Sequence, residues 1–246
     1  MLDIHSHILH GVDDGAKTIV ESLELLAKAQ SEGVTQIIAT PHKDPSYQPS
    51  KDVILQQVEE LNRLCHTNGL TIKVLPGQEV RLYDNIVTDF KNDNLVTLNN
   101  EGRYILIEFP SSHVPKYATR MFYELQLAGV QPILVHPERN SEIMSNPELL
   151  ENIVASGILT QITAGSVVGK FGRKAKKTAH VLLQHNLITF IASDAHRLKT
   201  RDFHMMAAKK MITKKYGSDY TTKLFTNASR LLTSDYITMD DVIPFK

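Results

Sequence analysis

Seven short runs rich in β-branched and aliphatic residues alternate with amphipathic helical patterns along almost the whole chain, and this alternation limits the possible folds more than any other feature. The runs are LDIH, QIIATPH, KVLPGQE, YILIEF, PILVHPE, TQITAG and ITFIASDAH, each with the composition of a buried strand. Between them, Ile19, Leu23 and Leu26 mark a helix ending near Gly33. Ile54, Val58, Leu61 and Cys65 mark one ending near Gly69, and Ala118, Met121, Phe122 and Leu125 one ending near Gly129. Further patterns cover Glu148 to Ala155 and Arg173 to His185, and two follow Asp202. Strict alternation, without an internal repeat or a proline- or glycine-rich linker, predicts an α/β fold. Its parallel strands are expected to form one closed or nearly closed (β/α) barrel, a single domain over residues 1–246. A chain of 246 residues is of ordinary size for such a barrel.

The balance of charge narrows the partners. Lysine plus arginine and aspartate plus glutamate each number 27, which gives no electrostatic reason to expect nucleic acid or an anionic membrane. No transmembrane or signal-like stretch stands out, so the expected location is the cytoplasm, without membrane insertion. Cys65 is the sole cysteine, which excludes intrachain disulfides and thiolate metal sites. It shares an apolar helical face, and no arginine stands six residues after it, so it is expected to be core rather than a nucleophile.

In a barrel the chemistry is built at the carboxyl ends of the strands. The first run ends in His5 and His7, which point the same way on a strand. The second ends in His42, the third in Glu79, the fourth in Glu108, the fifth in His136, and the seventh in Asp194 followed by His196. Asp13 and Asp14 stand just after the first run, and the sixth run supplies no ligand type. Each residue alone has an ordinary structural role, but gathering so many carboxylates and imidazoles in one mouth costs several kcal/mol per uncompensated charge, which cations offset.

His5, His7, Asp14, His42, Glu79, Glu108, His136, Asp194 and His196 are too many for one ion and suit two or three that share carboxylates. Four carboxylates against three divalent ions leave about +2, matched to a phosphate dianion. Imidazole and carboxylate fit Mn, Fe or Zn. Clustered ions activate water and clamp an in-line displacement, so phosphoester hydrolysis is the expected chemistry. Arg139, Arg197 and Arg201 follow ligand positions closely and are candidates for the phosphoryl oxygens.

Taken together, DIHSHILHGVDDGA, ATPHK, LPGQEVRL, ILIEFP, VHPERN, ITAGSVVGKFG and ASDAH resemble the polymerase and histidinol phosphatase (PHP) superfamily. Within it the similarity is to the manganese-dependent bacterial protein tyrosine phosphatases of capsule and exopolysaccharide clusters. The match runs in order from the first residues to about Arg201. Lys43 departs from it, where relatives often carry a second histidine at a position that is not a ligand. The resemblance implies a distorted (β/α)7 TIM-like barrel with a trinuclear centre. His5, His7, Glu79 and Asp194 would surround one ion, Glu79, Glu108 and His136 the second, and Asp14, His42 and His196 the third, with Mn²⁺ the expected metal and Fe or Zn the alternatives.

Arg139 and Arg201 would bind phosphate, a metal-bound hydroxide would attack, and a phenolate of pKa about 10 would leave with little protonic help. The implied substrate is the phosphorylated, tyrosine-rich tail of a bacterial tyrosine kinase that regulates polysaccharide synthesis. The basic run Lys170 to Lys177 could draw such a tail in, or be a solvated helix face. The alternatives are a small-molecule phosphatase such as a histidinol-phosphate hydrolase, and a metal-bound module that docks on the kinase without turnover.

Overall fold

The first strand carries two of the candidate ligands, and its flanks explain where it lies. In the computed structural model, which describes residues 1–233, 237 and 239–245, β1 (Leu2–Ser6) is buried at every residue. The remaining positions of the expected domain, 234–236, 238 and 246, lie outside the described residues. The other strands are β2 (Gln36–Ala39), β3 (His42–Lys43), β4 (Lys73–Pro76), β5 (Glu79–Arg81), β6 (Tyr104–Glu108), β7 (Gln131–Val135), β8 (Leu159–Thr163) and β9 (Phe190–Ala192). The helices are α1 (Ile19–Ser31), α2 (Lys51–Thr67), α3 (Ile86–Lys91), α4 (Ala118–Leu127), α5 (Ser141–Ser145), α6 (Leu149–Ala155), α7 (Ala164–Val168), α8 (Gly172–Gln184), α9 (Met205–Tyr216) and α10 (Ser218–Arg230).

Local chemistry sets the ends of the long helices. Thr18 caps α1 by accepting from the Glu21 N–H, while the Glu21 carboxylate reaches back to the Lys17 N–H, a close variant of a capping box. Ser50 caps α2 in the same way through the Val53 N–H. Cys65 lies on the apolar face of α2 with Ile54, Val58 and Leu61; it is buried, and desolvation raises its thiol pKa, as expected of an inert core residue.

All ladder pairings among the described strands are parallel, so the chain is an α/β protein, but the ladder is not a single closed sheet. The strands form a three-stranded sheet in the order β1-β2-β4 and a six-stranded sheet in the order β3-β5-β6-β7-β8-β9. The second and third sequence runs are each broken into two short strands. Pro41, which has no N–H to give, separates β2 from β3. At the other break, a side chain on Gly77 would bring its Cβ within 2.7 Å of the Ile38 side chain.

His42 and Glu79 consequently begin second, short strands rather than ending long ones, and they face each other in register. At the other side, the chain after β9 returns to β1 without a ladder: the Asp194 N–H donates to the His5 carbonyl at 2.9 Å and the His7 N–H to the Ala195 carbonyl at 2.8 Å.

Side chains alternate between two apolar clusters. Ile37, Val74, Ile105, Ile107, Leu134 and Ile191 pack with the helices. Ile4, Ile38, Leu106, Ile133, Val135 and Phe190 point to the opposite face, where Ala228 and Leu231 at the end of α10 join them. Both faces of the strands are therefore covered, as parallel sheets require, and the polar residues collect where the strands end.

Candidate metal centre

All nine candidate ligands meet in one cluster. His5 ends its side chain against His7, their Nε2 atoms 3.2 Å apart. Glu79 Oε2 lies 3.2 Å from each of these nitrogens, and Asp194 Oδ1 lies 3.4 and 3.3 Å from them. Five of the six separations among these four atoms thus fall between 3.2 and 3.4 Å. Atoms so spaced stand about 2 Å from a common centre, the distance at which imidazole and carboxylate hold a first-row divalent ion.

Two further groups adjoin the first. Asp14, His42 and His196 gather with His7, Asp14 Oδ1 lying 3.1 Å from His196 Nε2 and 3.5 Å from His42 Nε2. Glu79 and Glu108 gather with His42; His136 stands beside them, its Nε2 2.7 Å from Glu79 Oε1 and 3.8 Å from Glu108 Oε1. The grouping differs from the expected one in that His7 and His42 are each shared between groups, while His136 reaches the cluster through Glu79.

The donor set suits cations. Asp14 Oδ1, His42 Nδ1, Glu79 Oε2, Asp194 Oδ1 and His196 Nε2 are buried and have no hydrogen-bond partner, a costly arrangement unless something positive completes it. Burial, reinforced by the neighbouring Arg139 charge, pushes the His136 pKa down to about 3. Burial and the charge of His7 bring His196 to about 4. Neutral imidazole is the form that ligates a metal. Burial and the charge of Glu79 push the Glu108 carboxyl up to about 7 against the opposing guanidinium of Arg81. His136 and Asp194 also hold left-handed backbone, with φ of 36° and 53°, a strain that clusters at functional sites.

Three supporting contacts were not among the expectations from the sequence. Asp13 Oδ2 accepts from His7 Nδ1 at 2.7 Å, and Gln161 Oε1 pairs with His5 Nδ1 at 2.9 Å, each turning the opposite ring nitrogen toward the cluster. Gln161 comes from β8, the run that offers no ligand. Arg81 holds Glu108 Oε2 through Nη2 at 2.6 Å and Nε at 2.7 Å, leaving Oε1 to face His136. Of these, only Arg81 left a sequence signal: two residues after Glu79 on one strand, it leans to the same side.

The arginines separate clearly. Arg139 Nη1 and Arg201 Nη2 both reach Asp194 Oδ2, at 2.8 and 2.7 Å. Burial pushes Asp194 upward, but these two guanidinium groups outweigh it and hold its carboxyl well below the usual range. Both also lie over the ring of Phe171, with Cζ 5.0 and 5.8 Å from its centroid. Arg197 is exposed and joins the site only as part of the turn that precedes Arg201.

Comparison with known proteins places this cluster in a family. Residues 1–233 match the family described as capsular polysaccharide synthesis, CpsB/CapC. The chain belongs to the CpsB/CapC family. It is 42% identical over 247 residues to the tyrosine-protein phosphatase YwqE of Bacillus subtilis strain 168, covering 100% of this chain and 97% of that protein. It is 30% identical over 244 residues to the tyrosine-protein phosphatase CpsB of Streptococcus agalactiae serotype III, with 96% and 100% covered.

A chain from the crystal structures of YwqE from Bacillus subtilis and CpsB from Streptococcus pneumoniae, described as unique metal-dependent tyrosine phosphatases, superimposes with a TM-score of 0.97. It shares 42% identity, and all of both chains is covered. That chain shares the fold of this CpsB/CapC protein over its whole length.

Proposed function

We propose that this CpsB/CapC chain is a metal-dependent protein tyrosine phosphatase, folded as a single-domain distorted (β/α)7 barrel of the PHP type. The observation that carries the reading is the ring of His5, His7, Glu79 and Asp194 at the spacing of one ion's ligands, flanked by two arginines on a shared carboxylate oxygen. Family membership supports the same activity, since the relatives are named tyrosine phosphatases. The barrel reading is supported by the backbone hydrogen bonds that bring residues 194–195 back to β1.

The nine ligands His5, His7, Asp14, His42, Glu79, Glu108, His136, Asp194 and His196 would hold two or three ions, with Mn²⁺ the preferred metal. When bound, such ions would supply an attacking hydroxide at neutral pH and neutralise phosphoryl charge. The chain's own groups do the rest. Asp13 and Gln161 fix the rings of His7 and His5. Arg139 and Arg201 bind the non-bridging oxygens, where charge grows as the phosphoryl group transfers. A tyrosine phenolate, of pKa about 10, leaves without a dedicated acid.

The substrate in this reading is a phosphorylated tyrosine-rich kinase tail, met in the cytoplasm. Lys170, Arg173, Lys174 and Lys177 support it: they are exposed and make no ion pair among the described residues. The same segment begins beside Arg139 through Phe171. No described helix is long and apolar enough to cross a membrane. The deciding experiment is phosphate release by metal-stripped protein, with and without Mn²⁺, from a phosphotyrosine peptide and from histidinol phosphate. Mn²⁺-dependent release from the peptide is expected. Release from histidinol phosphate alone would move the activity to small molecules, and release from neither would leave a docking module.

A further inference from the structure

Phe171 lies beneath both candidate phosphoryl ligands, although it comes from the basic run and belongs to no metal-ligand motif. It stands immediately before α8, half-buried. Its ring edge rests on Gly165, where an added Cβ would fall 2.7 Å from Phe171 Cε2. The segment between these two residues is tied down by the Lys170 N–H, which donates to the Gly165 carbonyl at 2.8 Å. Over the ring lie the guanidinium carbons of Arg139 and Arg201.

Those two guanidinium groups carry like charges and share one oxygen of Asp194. The other carboxylate near Arg201 is looser, with Asp14 Oδ2 3.9 Å from Nη1, so an aromatic surface can still bias the planes of both groups. Arg201 Nε is buried without a hydrogen-bond partner, so no hydrogen bond at that atom sets the plane of its group. An aromatic face attracts a guanidinium and favours particular approaches to the ring.

We propose that Phe171 is the positioning residue of the phosphoryl clamp. Its ring sets the directions in which Arg139 and Arg201 present their N–H groups to the phosphoryl oxygens, and the Gly165–Gly172 turn holds the ring in place. This rests on the reading of the two arginines as phosphoryl ligands. Phe171 itself is not assigned a contact with the reacting atoms.

The test compares Phe171→Leu and Phe171→Tyr with the parent on a phosphotyrosine peptide, in Mn²⁺-loaded protein. Phe171→Leu keeps apolar bulk and loses the π face; it is expected to lower kcat/KM about 5- to 30-fold. Inhibition by orthovanadate should weaken by a similar factor, while bound metal and the thermal midpoint stay at parental values. Phe171→Tyr retains the face and should restore kcat/KM. In Arg139→Ala or Arg201→Ala backgrounds, the loss from Phe171→Leu should shrink, because the ring acts through the arginines.

Full activity of Phe171→Leu beside a crippled Arg139→Ala would remove Phe171 from the clamp and leave the clamp intact. An undiminished loss in both arginine backgrounds would do the same. Full activity of the Arg139→Ala/Arg201→Ala double variant would remove the clamp, and this proposal with it.

Discussion

Asp13 and His7 are joined by a 2.7 Å contact from Nδ1 to Oδ2, and the same carboxylate oxygen accepts the backbone N–H of His42 at 3.1 Å. One side chain therefore fixes candidate ligands from two different parts of the chain, while its second oxygen accepts the Gly15 N–H at 2.8 Å. Asp13→Ala is expected to lower metal affinity about 10- to 100-fold, with activity recovering at high Mn²⁺. Titration of metal-stripped protein with Mn²⁺, read by calorimetry, checks it; an unchanged affinity would show that His7 needs no such support.

Gly15 approaches His7 so closely that an added Cβ would lie 2.1 Å from the His7 carbonyl oxygen, which backbone must move to relieve. Gly15→Ala should therefore cost more than about 2 kcal/mol of stability and weaken metal binding with it. Chemical denaturation of the metal-free variant reads the first effect separately from the second.

Arg139→Ala is expected to remove about 2 to 4 kcal/mol of transition-state stabilisation, seen as a fall in kcat/KM for a phosphotyrosine peptide with bound metal unchanged. The same protein with kcat/KM intact would place Arg139 outside the phosphoryl site and leave it only as a partner of Asp194.

Removal of metal should do more than stop catalysis. The buried, unpartnered ligand atoms gain nothing when the cations leave, whereas the unfolded chain gathers no such set. Chelation is expected to lower the thermal midpoint, and Mn²⁺ at about 100 times its dissociation constant to restore about 2.7 kcal/mol. Equal midpoints with and without metal would contradict a preference of the folded site for the ions.

Asp3 gives the pH prediction. It is fully buried beneath the site, and burial pushes its carboxyl up to about 6 against hydrogen bonds donated by the backbone N–H groups of Ser193 and His5. The folded state thus binds this proton more tightly than the unfolded chain. The resulting stability is complete below about pH 4 and is lost as pH rises through 6. In metal-free protein, the stability of the parent relative to Asp3→Asn should fall by up to about 3 kcal/mol between pH 4 and 7. Urea denaturation at several pH values measures it, and a pH-independent difference would be contrary to this account.

The site was far more legible in the sequence than its supports were. Every candidate ligand except Asp14 stood at or next to the end of a β-branched run, where a side chain's direction follows from local geometry, so the clustering of His5, His7, Glu108 and His136 could be anticipated without knowing the packing. Gln161 could not, because an amide in TQITAG has no chemistry of its own until His5 lies beside it. Asp13 and Asp14 are adjacent carboxylates that only the turn at Gly15 separates into an orienting group and a candidate ligand. The helices starting at residues 19, 51 and 118 showed apolar spacing; α3, α5 and α7 are too short to show one. The breaks at Pro41 and Gly77 were hidden for another reason, since a run of strand-forming residues does not reveal where its hydrogen-bonding partner changes.

The return of residues 194–195 to β1 would give bound ions a second task. Between the first and last strands there is no ladder, only a few backbone hydrogen bonds, yet His5 and His7 on one side and Asp194 on the other converge on the same point. A cation held there would act as a clasp across the seam, joining positions almost two hundred residues apart in the chain. On a ribosome, the two histidines emerge long before their carboxylate partner, so a nascent chain can offer an ion only a fragment of the set. The complete set of candidate ligands would be available only once residues 194–196, just after the last strand, are in place, so selection of a metal by the whole set would come after that strand is laid down.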